Sequence, residues 1–402
     1  MADKSYKILS LDGGGSWALI QAIALADIYG LDTKGKDILD HFNLAIANSG
    51  GSIVLAGLLM DMTPRQLFDL FDKESIRKGI FDKKFITLMG FRKYKTESKI
   101  VGLQDAFNGY PVETLLTDIP NTLKIKTDIV IPAFDYDRER ATFFRSNANS
   151  KAGGATNITI IQAVHASSTA PVKYFDDPAM ILPHRFWDGA VGGYNNPIMA
   201  GVTEVLANRS ATREEIGILS IGTGNNFLPL WIPGKLNNGL YKPPLDPGLI
   251  NDVTLVARAI LSDPPDAASY IAYVMLGGDL PNEGKINSDD PIVRMNPLIQ
   301  PKGSPGNWSF PNGLSAADFS RLTELELDAI ETDDVNLIKK LTSLWLQDDV
   351  INQAIRADGS TLECKIGHSK YSGALQQWRN INPPVTPINP NNRQAILNLL
   401  AS

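Results

Sequence analysis

Cysteine is almost absent: Cys364 stands alone in 402 residues. No internal disulfide can form, which fits a reducing compartment. Histidine is nearly as scarce, with four residues scattered along the chain. No cluster therefore has metal-ligand spacing, and neither a metal nor a cofactor is expected. No apolar run approaches the roughly 20 residues that span a bilayer. The N-terminal stretch MADKSYKILSLD passes straight into a strand pattern with no signal peptide, so the expected location is the cytoplasm. Positive charge is not in excess either. A formal net charge of −6 argues against nucleic acid as a partner and against strong general attraction to anionic membranes.

The hydrophobic share of 43% is enough for a sizeable core. Strand-like runs at Tyr6–Leu11, Phe42–Ala47, Thr127–Ala133, Ala141–Arg145 and Gly217–Ile221 alternate with helical stretches such as Trp17–Tyr29, Gly51–Met60, Ile158–Ser168 and Pro197–Asn208. That alternation predicts an α/β fold with a mostly parallel sheet and helices on both faces. Two long loops, Gly224–Gly248 and Ile299–Gly313, interrupt it. The C-terminal third reads as mostly helical. Ser315 opens one helix, and Val335, Ile338, Leu341 and Trp345 form an apolar stripe expected to pack into the core. The expected organisation is a catalytic core over 6–225, with 226–402 docked on it rather than independent.

Three segments carry the chemistry. Phe42–Gly57 (FNLAIANSGGSIVLAG) runs from a buried strand through small residues into a helix. A serine at such a turn, here Ser49, has the setting of a nucleophile elbow, although many α/β proteins have small-residue turns that do no chemistry. Upstream, Tyr6–Asp12 leads into Gly13, Gly14, Gly15 and a helix start. Bare amides at a helix N-terminus bind anions. The loop is open to three readings: an oxyanion hole, a nucleotide phosphate cradle, or a turn that needs glycine. The cradle lacks a GxxxxGK[ST] pattern. Third, FWDGAVGGYNNP over Phe186–Pro197 contains Asp188, either a general base or an ordinary turn aspartate.

Taken together, the segments resemble the patatin-like phospholipase family. Asp12-Gly13-Gly14-Gly15-Ser16-Trp17-Ala18 is similar to its D-G-G-G-x-R-G loop, Ala47-Asn48-Ser49-Gly50-Gly51 to its G-x-S-x-G elbow, and Asp188-Gly189-Ala190 to its D-G-[GA] motif. Ala166–Pro171 with Phe175, Asn195-Asn196-Pro197, Ser220–Gly224 and Val293–Leu298 look like further family stretches. The resemblance covers roughly residues 6–225. Three positions depart from it: Trp17 replaces a cation, and Ala18 and Ala47 replace glycine. Alanine is compatible with the elbow where φ is negative.

The resemblance implies a three-layer α/β/α sandwich and a serine acyl hydrolase acting on carboxylic esters of lipids. It implies Ser49 as nucleophile, Asp188 as its base in a two-residue dyad, and the amides of Gly13, Gly14 and Gly15 as the oxyanion hole. A carboxylate is a weak base at its reference pKa of about 3.9, so a partly dry site is needed to raise it. His41 falls at the far end of the elbow's strand, and His165 reads as a core or supporting residue. His368 gives the chain order Ser…Asp…His, so a Ser49–Asp188–His368 triad is the alternative. The partner expected is a lipid ester, met at a membrane or micelle surface by peripheral contact. Lys78–Lys95, with Phe85, Leu88, Met89 and Phe91 among lysines and arginines, reads as an interface segment, an active-site lid or a packed loop. A second function class stays open: a catalytically impaired relative that binds lipid or a partner.

Overall fold

The computed structural model describes residues 4–83, 92–147, 157–181, 183–231, 233–234, 239–242, 246–248, 251–252, 255–256, 267–278, 290–304, 307–353, 367–383 and 388–402. Residues 84–91, which hold the apolar part of the Lys78–Lys95 segment, lie outside the described residues, as do Cys364 and parts of both long loops.

Nine strands matter for the site: β1 (Tyr6–Leu11), β2 (Leu44–Ala47), β3 (Asp128–Asp135), β4 (Arg140–Arg145), β5 (Ala179–Ile181), β6 (His184–Asp188), β7 (Ile216–Ile221), β8 (Asn225–Asn226) and β9 (Ile292–Met295). The central sheet runs β5-β6-β3-β2-β1-β7-β9, with β4 also paired to β3. β1, β2, β3, β7 and β9 are parallel neighbours. β4 and β6 are antiparallel to β3. The predicted three-layer α/β/α sandwich is the fold observed.

Strand alternation builds the two outer layers. On one face Leu9, Leu11, Ala45, Ala47, Ile129, Ile131, Leu219 and Val293 join a core shared with the helices Leu19–Tyr29, Ser49–Leu59, Ile160–Ser167, Thr332–Leu346 and Tyr371–Ile381. On the other, Ile8, Leu44, Ile46, Val130, Ile216 and Ile218 meet the helix Ile198–Asn208 and residues 268–276. The stripe Val335, Ile338, Leu341 and Trp345 is buried on the first face. Trp378 is fully buried and stacks on Phe42 at 5.8 Å. Ser315 caps its helix through a reciprocal box with Asp318. Among the described residues no helix is long and apolar enough to cross a membrane.

One feature of the sheet places the site. β3 offers two edges. β4 occupies one over Val130–Asp135, so β2 and β6 must share the other. β2 pairs with the start of that edge and β6 with its end, in opposite directions. The two strands therefore meet with their C-terminal ends together. One delivers Asn48 and Ser49, the other Asp188.

Candidate active site

Ser49 follows β2 and opens the helix Ser49–Leu59 with φ +50°. A left-handed φ is costly for a residue with a β-carbon and marks stored strain. Small neighbours make the turn feasible. A methyl group at Gly50 would come within 2.5 Å of the Gly15 carbonyl oxygen, and one at Gly51 within 2.6 Å of the Asp12 carbonyl oxygen. The glycine loop and the elbow are thus packed backbone to backbone. Ala47 is the last residue of a strand, where alanine costs nothing.

The Asp188 carboxylate lies beside the Ser49 side chain, which favours its ionised form. Asp188 closes β6, and Oδ1 also accepts the Ala190 amide at 2.9 Å. It is therefore at once the turn aspartate and the partner of the serine. A relay of neutral groups ties the two ends together. The Ser49 amide donates to Ser167 Oγ at 3.1 Å, Ser167 Oγ donates to Asn48 Oδ1 at 3.1 Å, and Asn48 Nδ2 donates to Asp188 Oδ1 at 2.9 Å. Burial pushes the Asp188 carboxyl above the ordinary carboxylate range. Ser49, the Ala190 amide, Asn48 and the charge of Lys99 oppose it.

Lys99, on the helix Thr96–Ala106, is 1% exposed. Its Nζ donates to Thr169 Oγ1 at 3.0 Å and to the His165 carbonyl at 3.3 Å, and lies 4.6 Å from the centre of the Phe175 ring. Burial pulls its ammonium well below the usual lysine range, and Asp188 partly restores it. Thr169 in turn accepts the Asp188 amide on its carbonyl at 2.8 Å. His165 is buried and held neutral, with its pKa lowered to about 3 by burial and by Lys99. His41 packs against the Tyr29 ring at 4.8 Å, with the two rings tilted. His368 packs against Gly373. Among the described residues no histidine hydrogen-bonds Ser49 or Asp188.

The glycine loop is held from both sides. Asp12 at its base forms a buried two-point pair with Arg294 of β9, one arm at 2.9 Å, and Arg294 also reaches Ser220 at 2.7 Å. Thr223 Oγ1 donates to the Gly13 carbonyl at 2.8 Å. The Gly13 amide donates to the Asn195 carbonyl at 2.8 Å. Of the three glycines expected as donors, Gly13 has its amide paired with the Asn195 carbonyl. Gly15, at φ +56°, and Gly50 line a small cleft of about 20 Å³ together with Ser49, Lys99, Phe175 and Leu327. Ser49 is 6% exposed and Asp188 3%.

Asn48, Ser167, Lys99 and Arg294 were not singled out by the sequence reading. Asn48 and Ser167 sit inside quoted motifs without a role attached. A lone lysine in a helix gives no signal. Arg294 offered one: a charge inside the apolar strand run VRMNPL.

Residues 9–202 match the model of a family described as patatin-like phospholipase. Among curated proteins, the chain is 25% identical over 249 residues to a cGAMP-activated phospholipase of Vibrio cholerae, covering 54% of this chain and 64% of that one. It is 27% identical over 229 residues to a cGAMP-activated phospholipase of Pseudomonas aeruginosa, covering 54% and 62%. It is 25% identical over 244 residues to Patatin-like protein 1 of Arabidopsis thaliana, covering 54% and 58%. The chain thus spans less than two thirds of the length of these relatives.

Proposed function

We propose that the chain, whose residues 9–202 match the patatin-like phospholipase family model, is a serine hydrolase of lipid carboxylic esters. The observation that carries the reading is Ser49, on a strained strand-to-helix turn, set beside the buried carboxylate of Asp188. Asp188 takes the serine proton as Ser49 attacks the ester carbonyl. Its burial supports a base stronger than an ordinary carboxylate. The tetrahedral intermediate's oxygen is received by the amides of Gly14, Gly15 and Gly50. The residue after a nucleophile is the usual second donor of an elbow, and Gly13 serves to fix the loop. Collapse of the intermediate expels the alcohol, which recovers the proton from Asp188. Water, activated by the same carboxylate, then releases the acid. Residues 226–402 act as a docked part of this unit, supplying Arg294.

The small size of the cleft around Ser49 also supports control by a ligand. Two relatives are named for activation by cGAMP, which makes cGAMP the first effector to add to an assay of this chain.

The test uses purified protein with short-chain p-nitrophenyl esters, phospholipids and lysophospholipids, and an alkyl fluorophosphonate that reacts with activated serines. Ser49→Ala and Asp188→Asn each abolish labelling and hydrolysis, and the double variant is little worse than either, since the two act as a unit. Hydrolysis that survives Ser49→Ala sinks the assignment. A His368→Ala variant as damaged as Asp188→Asn replaces the dyad by the triad.

A further inference from the structure

Residues 325–330, Leu-Glu-Leu-Asp-Ala-Ile, join the helices Ala316–Glu324 and Thr332–Leu346 without forming either helix or strand. They lie across the glycine loop, more than 300 residues away in sequence. The Ser16 amide, next after Gly15, donates to the Leu327 carbonyl at 2.9 Å. A methyl group at Gly15 would come within 2.3 Å of that same oxygen. Trp17 Nε1 donates to the Glu326 carbonyl at 3.1 Å. Leu327 lines the cleft that holds Ser49.

The side chains are clamped at the rim. Glu326 pairs with Lys93 at 2.7 Å and with Lys173 at 3.0 Å. Asp328 pairs with Lys93 at 3.1 Å and accepts the Tyr94 hydroxyl. Arg77 Nε holds the Ile330 carbonyl at 2.8 Å. Lys93 and Lys173 are brought side by side, because the Lys93 amide donates to the Lys173 carbonyl at 3.1 Å. Each directly precedes an aromatic of the site: Tyr94, packed on Phe175, and Tyr174, which lines the cleft.

We propose that this segment is an autoinhibitory strap lying where an anionic lipid ester will lie, and that Lys93 and Lys173 receive the lipid's phosphate once the strap leaves. The inference rests on the hydrolase reading above. The strap presents the same chemistry in the same order as such a lipid. A carbonyl oxygen sits on an amide of the oxyanion-loop helix start. An apolar residue borders the nucleophile's cleft. A carboxylate bridges two ammonium groups at the rim, where a phosphate oxyanion fits equally well. The clamp is suited to release. Glu326 and Lys93 keep about a third of their surface exposed, and ion pairs of that exposure are individually weak. The strap also accounts for Trp17. Where the family motif has a cation, this chain has an indole N–H that holds the strap's backbone.

The experiment compares the full-length chain with Glu326→Gln, Glu326→Gln/Asp328→Asn and Lys173→Gln. Circular dichroism confirms folding of each. Fluorophosphonate labelling at Ser49 quickens in all three, least in Lys173→Gln, which loses one pair, and by about tenfold in the double variant, which loses three. Two soluble substrates then separate strap from rim: dihexanoyl phosphatidic acid, and uncharged dihexanoylglycerol. Glu326→Gln keeps the preference in kcat/KM for the phosphatidic acid, whereas Lys173→Gln loses it about tenfold. Hydrogen exchange at the Ser16 amide reports the strap without any chemistry and quickens in the strap variants. Labelling and exchange unchanged by Glu326→Gln overturn the strap. A Lys173→Gln variant with its preference intact overturns the phosphate site. Faster exchange with no Ser49 labelling in any variant overturns the hydrolase reading and leaves the strap a contact of another kind.

Discussion

Asn48→Ala isolates one of the bonds that keep Asp188 ionised. Asn48 is fully buried, and its Nδ2 donates to Asp188 Oδ1 at 2.9 Å. Burial favours the protonated acid. The Ser49 hydroxyl, the Ala190 amide, Asn48 and the Lys99 charge favour the carboxylate. Removing one donor leaves burial less opposed, so the acid holds its proton to higher pH. A hydrogen bond to a charged group is worth about 1.5–3 kcal/mol, and a tenfold change in proton affinity corresponds to about 1.36 kcal/mol. The acid limb of kcat/KM therefore moves up by about one to two pH units, because hydrolysis needs the deprotonated base. The assay is kcat/KM for a soluble uncharged ester from about pH 4 to about pH 9. Ser167→Ala is the control. It removes a hydroxyl that Asn48 Oδ1 accepts from but leaves every donor to Asp188 in place, so its acid limb stays near that of the parent. If Asn48→Ala lowers the rate equally at all pH values, Asp188 is not the titrating base and the mechanism above is refuted.

Gly14→Ala puts a methyl group 2.1 Å from Thr223 Oγ1, the atom that holds the Gly13 carbonyl. Displacing the loop lowers kcat by about a hundredfold with little change in KM in steady-state kinetics, and a loss confined to KM places the loop in ground-state binding instead. Arg294→Met leaves Asp12 buried without its cation and destabilises the protein by about 3–5 kcal/mol in urea unfolding, so a loss below about 1 kcal/mol shows that the pair is not what anchors the loop.

The parallel core was legible because its strands are short apolar runs bounded by glycine and aspartate: β1 and β7 fall within a residue or so of their expected limits, as does the antiparallel β4. Ser49 and Asp188 were legible as motif residues. That they meet depends on β6 turning back along the edge of β3 that β2 leaves unoccupied, and no local pattern records such a choice. Asp188 read equally well as a turn residue because it is one: its carboxylate caps the Ala190 amide as well as meeting Ser49. Lys99 was invisible for a different reason. Its neighbours Glu97 and Ser98 make it look like part of a solvated helix face, and only packing against Thr169 and Phe175 buries it. The Trp17 departure looked like a lost charge. Its partner, the Glu326 carbonyl, lies 309 positions away, a distance no motif spans.

The order in which the chain is made sets the order in which its chemistry becomes available. Ser49 emerges from the ribosome about 245 residues ahead of Arg294, an interval of roughly ten seconds to a minute at ordinary synthesis rates. Until Arg294 arrives, Asp12, at the base of the glycine loop, has no counterion. Glu326 follows about 30 residues later, a matter of a few seconds at the same rates. On the proposed reading, a nascent chain that has gained Arg294 holds an uncovered Ser49 for only those few seconds before the strap segment follows it.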